Sequence, residues 1–469
     1  MDDLNTRGHD GSEAARILEW LFEYRRSIGC TIERIRFAES NQWALDESRS
    51  ALRHVSGRFF TIQGYRGLSN FRPDFWQPLI NQPETGTQGF IVRDGIAGLE
   101  LLVQARTEPG NVGLVQIGPT IQATYSNYTA AHKGRRQPFL EHFHHPKRFG
   151  SRVLVDTVQP ELGSRFLKKW NRNIVINAPA LAKFSHPMFR WVSLPTLARL
   201  MRLEHVVNND ARLVVGLLAL ECGADLFEGT TNPLGEAVCR SFRSTSGASF
   251  SSFAEAADWL AGARSRESLL AEELSLGNLP GWEIADDEIR HERGLFFSVI
   301  QVRVHAADRE VADWDQPLIA ASHTGEIVLI VKEVDGVLNL LFRAEAQLGN
   351  AHGAELQPTF CDDNDGAPEA PKAIRDLLNE KRVRERFTYQ GSDEGGRFFQ
   401  CISRFDIRWL DSDVNPELPE EYAWLTLGQV RELLAGTDFV SDESRSILSL
   451  FLTAACCDLY AIRPQAAAA

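Results

Sequence analysis

The sequence has few cysteines, and they follow no recognisable spacing. Seven cysteines are scattered along 469 residues, and none forms a C-x-x-C pair. The sequence therefore indicates neither a disulfide scaffold nor a thiolate zinc site. It also lacks an apolar stretch long enough to cross a bilayer, and its start, M-D-D-L-N-T-R, carries no hydrophobic signal region. We expect a cytoplasmic protein with no membrane-spanning segment.

Positive charge is also in deficit, with 50 Lys and Arg against 63 Asp and Glu and a formal net charge of −13. Because a polyanion needs a basic surface, nucleic acid and anionic membranes are not expected as partners. A single basic pocket for a phosphate group stays compatible with this balance. The chain has no G-x-G-x-x-G motif and no P-loop, so we expect no bound cofactor.

The sequence does contain the same series of short motifs twice. Three short runs recur at a constant step of 239 residues. They are Gln77–Ile80 with Gln316–Ile319, Gly110–Asn111 with Gly349–Asn350, and Pro119–Thr120 with Pro358–Thr359. Chance does not produce a gap-free repeat over such a length, so the pattern indicates an internal duplication.

Each copy is predicted to be an α+β unit. Helical periodicity with an N-cap serine marks Ser12–Arg26 and again Ser252–Arg264, and mixed strands then precede the helices that end each copy. We therefore predict two tandem modules, residues 1–235 and 236–469. A stretch rich in Ser, Gly and Thr, residues 230–252, is the predicted linker.

A polar stretch from Gln104 to Gly134 lies between two apolar runs of the first copy. Leu99–Gln104 and Gly113–Ile117 are predicted strands, and the turn Glu108–Asn111 makes them a hairpin. Carboxamides, hydroxyls, Gly and Pro gathered in this way are typical of a segment that faces a ligand. The second copy keeps Pro358–Thr359 but has lost the T-Y-S-N-Y-T text that follows in the first. We therefore expect two related clefts, of which one is catalytic.

The first copy carries E-P-G-N at 108–111, Gln116, P-T-I-Q-A-T-Y-S-N-Y-T at 119–129, and His132. Together with G-G-R-F at 395–398, these motifs resemble the signature of the NDP-hexose 2,3-dehydratases of deoxysugar and antibiotic biosynthesis. The resemblance spans nearly the whole chain. It implies two modules with a Nudix-like fold, a dTDP-4-keto-6-deoxyhexose as substrate, a homodimer, and a product that passes to a 3-ketoreductase.

A Nudix-like fold does not here imply Nudix hydrolysis. Such hydrolases need a helix with R-E-x-x-E-E, whose glutamates hold divalent metal. The nearest text, Arg266 to Glu273, has the wrong spacing and is predicted to be a solvated helix face. The cluster Glu141–His145 invites a zinc interpretation. Pro146 follows it at once in a basic stretch, so we expect a surface loop and no metal.

The implied substrate sets the chemistry. Its C4 ketone makes the C3 proton acidic, and the C2 hydroxyl lies β to that carbonyl, so water leaves through an enolate. The site needs a base at C3, donors on the C4 oxygen and an acid at the C2 hydroxyl. Tyr128 and His132 are the candidates for acid or base. Glu108 is a third candidate, although a glutamate in a hairpin turn is more often solvated.

Further candidates for substrate binding come from both copies. The polar and motif residues are Thr124, Tyr125, Ser126, Asn127, Gln357, Pro358, Thr359, Gly395, Gly396 and Phe398. The alternative for the polar loop is that it caps its own backbone. Arg165, Arg343 and Arg397 are candidates to clamp the pyrophosphate, with structural ion pairs as the alternative. Trp43 and Trp282 occupy equivalent positions and are candidates to stack on thymine, or they belong to the core.

Two functions of different classes are thus open, a lyase of the 2,3-dehydratase type and a nucleotide-sugar-binding protein without catalysis. For either, we expect one cleft to join Thr124–Tyr128 with Arg343 and Arg397 of the second copy, with the nucleotide toward Trp282. The apolar stretch Leu448–Leu459 is the expected dimer contact.

Overall fold

The computed structural model describes residues 12–95, 98–124, 138–230, 232–306, 311–362 and 370–456. The first copy contains α1 (Glu13–Ser27), β1 (Cys30–Ile35), β2 (Trp43–Leu45), β3 (Ala51–His54), β4 (Thr61–Ser69), β5 (Phe75–Asn81), β6 (Gly86–Gly95), β7 (Gly98–Thr107), β8 (Val115–Gly118), β9 (Ile121–Ala123), α2 (Leu140–His144), β10 (Arg152–Pro160), β11 (Trp170–Asn177), β12 (Phe189–Ser193), α3 (Leu194–Leu200), α4 (Asn209–Cys222) and α5 (Pro233–Arg243).

The second copy repeats this order up to the counterpart of α4, and its described residues end there. It contains α6 (Phe253–Arg266), β13 (Leu269–Leu274), β14 (Trp282–Ile284), β15 (Glu288–His291), β16 (Phe297–Ala306), β17 (Asp313–Ala321), β18 (Gly325–Val334), β19 (Val337–Glu345), β20 (Glu355–Gln357), β21 (Phe360–Asp362), α7 (Lys372–Leu378), β22 (Val383–Ser392), β23 (Ile402–Leu410), β24 (Tyr422–Leu425), α8 (Leu427–Leu434) and α9 (Asp442–Ala455). The predicted α+β class and the duplication are confirmed.

A matched pair of threonines shows how closely the copies agree. Thr120 Oγ1 accepts a hydrogen bond from Ile91 N at 3.0 Å and donates one to Leu102 O. Thr359, at the equivalent place, makes the same two bonds in the second copy. Each hydroxyl thus ties two neighbouring strands to the segment that follows the hairpin.

Each copy has one large mixed sheet. In the first copy the strand order is β10-β11-β6-β7-β12, with β8 paired to β7 and β9 to β6. In the second copy the order β22-β23-β18-β19-β24, with β20 and β21, is the same. The pair β6 and β11 is parallel and the other pairs in the first sheet are antiparallel. The predicted hairpin is confirmed, since Ala105 of β7 pairs with Ile117 of β8.

The two smaller sheets exchange a strand between the copies. Strand β1 of the first copy pairs with β16 of the second, so that Cys30 lies opposite Ala306. Strand β13 of the second copy pairs with β4 of the first, so that Leu269 lies opposite Ser69. The two copies are therefore interlocked, and neither small sheet is complete without the other copy. The division between residues 235 and 236 stays a prediction.

Each copy begins with a capped helix, as predicted. Ser12 accepts a hydrogen bond from Ala15 N at 3.3 Å, and Ser252 accepts one from Glu255 N at 3.3 Å. These bonds satisfy backbone donors that the first turn of a helix leaves open. Helix α1 buries Trp20 against the large sheet of its copy.

Three segments differ from expectation. The predicted linker contains α5, because Asn232 caps a helix that buries Leu234 and Val238, and only 244–252 connects the copies. The expected helix face at 266–273 is the end of α6 followed by β13, which is held as a strand by β4. The expected loop around His142 is helix α2, whose Phe143 is fully buried.

The C-terminal helix is not a free surface. Helix α9 packs on α4 of the first copy, and a Cβ on Gly216 would lie 2.5 Å from Ser449 Cβ. Leu448, Leu450 and Leu452 are fully buried in a core that both copies share. The expected dimer contact along this helix is therefore wrong for its described part, since those side chains pack inside one chain. No helix in the described ranges is both long and apolar enough to cross a membrane.

Candidate active site

The hairpin of β7 and β8 in the first copy meets a loop of the second copy. Gly110 N donates to Gly395 O at 2.8 Å, and Gln400 N donates to Gly110 O at 2.8 Å. A Cβ atom on Gly110 would overlap the carbonyl oxygen of Phe398, and one on Gly395 would overlap Asn111 Oδ1. These glycines are therefore required by the close approach of two backbones. We call this contact the first junction.

The same contact occurs with the copies exchanged. Gly349 N donates to Gly163 O at 2.6 Å, and Lys168 N donates to Gly349 O at 2.7 Å. A Cβ atom on Gly349 would overlap the carbonyl oxygen of Phe166. We call this contact the second junction. The backbone framework is shared, so differences in side chains decide what each junction can do.

Glu108 lies inside the first junction rather than in a solvated turn. Its side chain is 3 % exposed, and Oε1 accepts hydrogen bonds from Arg106 Nε at 2.9 Å and from Gln122 Nε2 at 2.9 Å. Glu108 Oε2 is buried without a hydrogen-bond partner among the described residues. A Cβ on Gly396 would lie 3.7 Å from Glu108 Oε1 and 2.8 Å from Glu394 Oε1. The glycine loop of the second copy therefore covers this carboxylate, which corrects the expectation of a solvated residue.

Glu108 belongs to a cluster of interacting charges at the first junction. The cluster consists of Glu108, Glu161, Asp210, Glu394, Arg106, Lys169 and Arg397. Burial raises the pKa of Asp210 well above its usual range, and the negative charges of Glu394 and Glu108 add to the effect. Burial also raises the pKa of Glu394. Carboxyl groups whose pKa is raised by burial, beside others that are paired with cations, are the groups that general acid–base catalysis needs.

Glu161 and Lys169 meet through Asn171 on β11. Lys169 Nζ donates to Asn171 Oδ1 at 2.9 Å, and Asn171 Nδ2 donates to Glu161 Oε1 at 2.5 Å. Burial raises the pKa of Glu161 to about 8, with Asp442 and Glu394 as negative neighbours. Burial lowers the pKa of Lys169 to about 8. The two groups therefore change charge in the pH range where enzymes work.

Two of the predicted arginines contact aromatic side chains of the other copy. The guanidinium of Arg397 lies 4.3 Å from the ring centre of Phe60, and its Nε donates to Gln82 Oε1 at 3.2 Å. The guanidinium of Arg165 lies 4.5 Å from the ring centre of Phe297. Arg397 is half-buried and borders the carboxylate cluster, whereas Arg165 belongs to the second junction.

Arg343 is not part of the cluster around Glu108. It forms an ion pair with Glu345 at 2.8 Å and lies over the ring of Tyr422 at 5.8 Å. Its charged neighbours Glu345, Glu421 and Glu267 all belong to the second copy. Arg343 therefore forms a structural ion pair, which was the alternative considered from the sequence. The structure does not bring Arg343 together with Arg397.

The other motif residues of the second copy have structural contacts. Gln357 Oε1 accepts a hydrogen bond from Ser441 Oγ at 2.9 Å, and Thr359 is held between strands as described above. Pro358 is buried between them, and Phe398 is buried in the core of the small sheets. Their part in substrate binding stays a prediction.

Trp43 and Trp282 lie in the core between the two small sheets. They are 3 % and 6 % exposed, and Trp282 Nε1 donates to Trp76 O at 2.8 Å. The ring centre of Trp43 is 4.6 Å from that of Phe60, and Trp282 is 5.0 Å from Phe297. Neighbouring rings cover both indoles, so stacking on thymine is corrected to a core position. A tryptophan kept in both copies marks the shared core.

The polar segment of the first copy begins beside Glu108. Gln122 of β9 donates to Glu108, and the half-buried Thr124 follows two residues later. Tyr125, Ser126, Asn127, Tyr128 and His132 lie outside the described residues. The roles of Tyr128 and His132 therefore stay predictions.

Several residues of the cluster were missed from the sequence. Glu394 directly precedes Gly395, and Glu161 stands two residues before Gly163 of the equivalent loop. The glutamate close to each glycine-containing loop could thus have been recognised in the sequence. Lys169 and Asp210 had no such signal, because only the packing of β11 and α4 brings them to the junction. Within the described ranges, no group of three or more His, Cys, Asp or Glu is arranged to hold a metal.

A cavity lies at the second junction, and its walls differ from the matching positions of the first copy. Among its lining residues are Ile327 and Phe405, which stand where the first copy has Gln88 and Asn173. In the first copy, Gln88 Oε1 and Asn173 Oδ1 are buried without hydrogen-bond partners among the described residues. The copies thus differ in polarity at matching positions. That one of two clefts is catalytic stays a prediction.

A family model described as NDP-hexose 2,3-dehydratase matches residues 14–218 and 253–451. A Saccharopolyspora spinosa protein named dTDP-4-dehydro-6-deoxy-alpha-D-glucopyranose 2,3-dehydratase is 36% identical over 92% of this chain and 89% of its own. Proteins of the same name from Streptomyces violaceoruber and Amycolatopsis orientalis are 35% and 32% identical, over 94% and 93% of this chain and 98% and 89% of theirs. A solved structure titled "Crystal structure of ADP compounds hydrolase" is 21% identical, with a TM-score of 0.21, over 33% of this chain and 83% of its own. That last likeness is too weak to bear on the fold.

Proposed function

Because the chain belongs to the NDP-hexose 2,3-dehydratase family, we propose that it removes water across C2 and C3 of dTDP-4-keto-6-deoxy-D-glucose. The enzyme class is that of a hydro-lyase. The proposal for its site rests on one observation, the cluster of buried carboxylates and cations at the first junction. Both copies contribute to that cluster, and it lies where the motif loops at 108–111 and 395–398 meet.

The reaction uses the acidity that the C4 ketone gives to C3. A base removes the C3 proton and leaves an enolate, which needs hydrogen-bond donors at the C4 oxygen. The enolate then forms the C2=C3 double bond while the C2–O bond breaks and water leaves. The enol so formed becomes a 2,6-dideoxy-3,4-diketo sugar by moving a proton from the C3 hydroxyl to C2. No redox step occurs.

Three residues are proposed for the proton transfers. Glu108 is supported by its buried carboxylate, of which one oxygen has no partner among the described residues. Tyr128 and His132 are supported by their place in the chain, since their segment leaves β9 beside Glu108. Arg397, half-buried at the edge of the cluster, is proposed to bind the pyrophosphate.

Turnover of dTDP-4-keto-6-deoxy-D-glucose tests the proposal. We expect loss of 18 mass units and, with a 3-ketoreductase and its reductant present, a trapped 2,6-dideoxy product. Tyr128→Phe should reduce kcat far more than it weakens dTDP binding. Arg397→Ala should instead weaken dTDP binding, by about 2–5 kcal/mol. Full turnover by Tyr128→Phe would remove that residue from the mechanism.

The alternative is a protein of the same fold that binds the sugar nucleotide without converting it. It predicts saturable binding of dTDP-4-keto-6-deoxy-D-glucose with no loss of water. It also predicts no exchange of the C3 proton with solvent. The dehydratase names of the relatives favour the lyase.

We also propose a homodimer in the cytoplasm, whose product passes to a 3-ketoreductase. The proposal rests on the family resemblance. Since α9 is buried within one chain, another surface has to form the dimer contact. Sedimentation at micromolar concentration measures the assembly, and a monomer would contradict it.

A further inference from the structure

The link between Lys169, Asn171 and Glu161 is more specific than a general ion pair. Asn171 uses its oxygen for Lys169 Nζ and Gly86 N, and its nitrogen for Glu161 Oε1. Lys169 Nζ also donates to Glu84 O, and to Trp170 O at 3.2 Å. Both the oxygen and the nitrogen of the Asn171 amide therefore have hydrogen-bond partners. Lys169 fixes the orientation of Asn171, and Asn171 in turn fixes the orientation of the Glu161 carboxyl group.

The second copy provides an internal comparison. Glu161 N donates to Lys169 O at 2.9 Å, and Asp393 N donates to Cys401 O at 3.1 Å at the equivalent place. The backbone is the same, yet Cys401 replaces the lysine, and Ser403 of β23 stands where β11 has Asn171. The fold does not require the side-chain link, which points to a role that is specific to the first copy.

Glu161 is also one of the two more accessible acids of the cluster. Glu161 and Glu394 are half-buried, whereas Glu108 and Asp210 are 2 % exposed. The charged neighbours of Glu161 are Asp442, Glu394, Lys169 and Arg445. Two negative and two positive groups thus face it, and none of the hydrogen bonds described above uses Glu161 Oε2.

We propose that Glu161 is the catalytic acid that protonates the departing C2 hydroxyl, and that Lys169 and Asn171 are positioning residues that orient its carboxyl group. This inference rests on the proposed function, because it names the acid for that reaction. It adds a residue outside the motif that carries the family resemblance.

The step balances without any co-reactant. After the base has removed the C3 proton, the enolate electrons form the C2=C3 bond and the C4 carbonyl is restored. The C2–O bond breaks, and its electron pair takes the proton of Glu161, so water leaves and Glu161 becomes a carboxylate. When the enol changes into the 3,4-diketone, Glu161 takes the proton of the C3 hydroxyl, and the protonated base gives its proton to C2. Both groups return to their first state.

The charge state agrees with this role. Burial and the two acidic neighbours keep the pKa of Glu161 raised, so its carboxyl group holds a proton at neutral pH. Loss of that proton as the pH rises should lower kcat. Removing the positive charge of Lys169 should raise the pKa of Glu161 further and move this loss of activity to higher pH.

A substrate that needs no acid separates catalysis from structure. In the 2-deoxy-2-fluoro analogue of the dTDP-4-keto sugar, fluoride leaves C2 without a proton. Glu161→Gln should lower kcat for the hydroxyl substrate by about 10²–10⁴-fold, but lower fluoride release by less than about tenfold. Exchange of the C3 proton with deuterated solvent should persist, since the base is intact. Asp393→Asn, the matched change in the second copy, should leave both rates unchanged.

The outcomes are distinct. Equal loss of both rates in Glu161→Gln, or no loss of either, would overturn the assignment, provided that thermal unfolding and dTDP binding match the wild type. Lys169→Met should shift the alkaline limb of kcat, and an unmoved limb would overturn the positioning role. If the wild-type protein converts neither substrate, the proposed function fails instead.

Discussion

Gly110 and Gly349 stand at the two junctions, 239 residues apart. In both places a Cβ atom would overlap a backbone carbonyl, that of Phe398 or Phe166. Gly110→Ala and Gly349→Ala should each lower the free energy of unfolding by about 2–4 kcal/mol, because backbone atoms on a packed loop cannot move aside cheaply. Urea denaturation of the two variants measures this loss.

Turnover tests the first of these variants. Displacing the hairpin at Gly110 moves the carboxylate of Glu108, so the folded Gly110→Ala variant should lose at least about tenfold in kcat. Gly349→Ala should also lower kcat, because Gly349 contacts the 163–168 loop that joins Glu161 to Lys169. Wild-type kcat in folded Gly110→Ala would argue against the first junction as the active site.

Asp210 predicts how stability depends on pH. Its pKa in the folded protein is raised by burial, so the protonated form is favoured by folding. That contribution is fully present below the unfolded pKa of about 4 and is lost as the pH rises through the folded pKa. Asp210→Asn should therefore weaken the fall in stability as the pH rises above about 4. Glu19→Gln, on the exposed face of α1, should leave the pH dependence as it is in the wild type.

For single residues, the sequence predicted the functional motifs better than it predicted the burial and packing of each side chain. Glu108 was recognised as a candidate, but its burial depends on Gly395 and Gly396, nearly 290 residues later, and no local pattern reports that cover. Trp43 illustrates the opposite case. Its recurrence as Trp282 suited both a ligand-stacking and a core role, and only the packing of Phe60 and Phe297 decides between them.

Among the elements, Thr120 and Thr359 offer a test of strand-to-strand ties. Each buried hydroxyl accepts a backbone N–H and donates to a backbone carbonyl. Thr120→Val and Thr359→Val keep the shape and strand propensity but leave both backbone groups unpaired. We expect each to cost about 1–3 kcal/mol of unfolding free energy, measured by urea denaturation. Unchanged stability in either variant would show that its strands hold without the hydroxyl.

The general order in each copy, a helix, then mixed strands, then closing helices, could be predicted from the sequence, because the capping residues are local and the second copy repeats the pattern of the first. The exchange of β1 and β13 could not. The two strands occupy equivalent positions in the duplication, so either fits the edge of either small sheet. Which sheet a strand joins depends on the path of the chain in space, and hydrophobic alternation is the same in both cases.

For the whole molecule, the exchange predicts that the two halves depend on each other. A chain cut within 244–252 and produced as two fragments should assemble into a one-to-one complex that copurifies. The reason is that each half supplies a strand to the other's small sheet and half of the shared core. Copurification followed by sedimentation measures the assembly.

Each fragment produced alone is the control. The first half alone exposes the strand edge of β4 and the face of α4 that α9 covers in the intact chain. We expect it to aggregate or to pair with itself. A cooperative, monomeric fold of that fragment would contradict the interlocked arrangement.

The strand exchange also affects how this chain folds while it is being translated. Strand β4 is complete at Ser69, but its partner β13 begins at Leu269, about 200 residues later. At about 5–20 residues per second, the edge of β4 waits roughly 10–40 s before its neighbour is synthesised. We expect the nascent first copy to stay incomplete through that interval, so a chaperone that holds nascent chains would protect it most between these two points of translation.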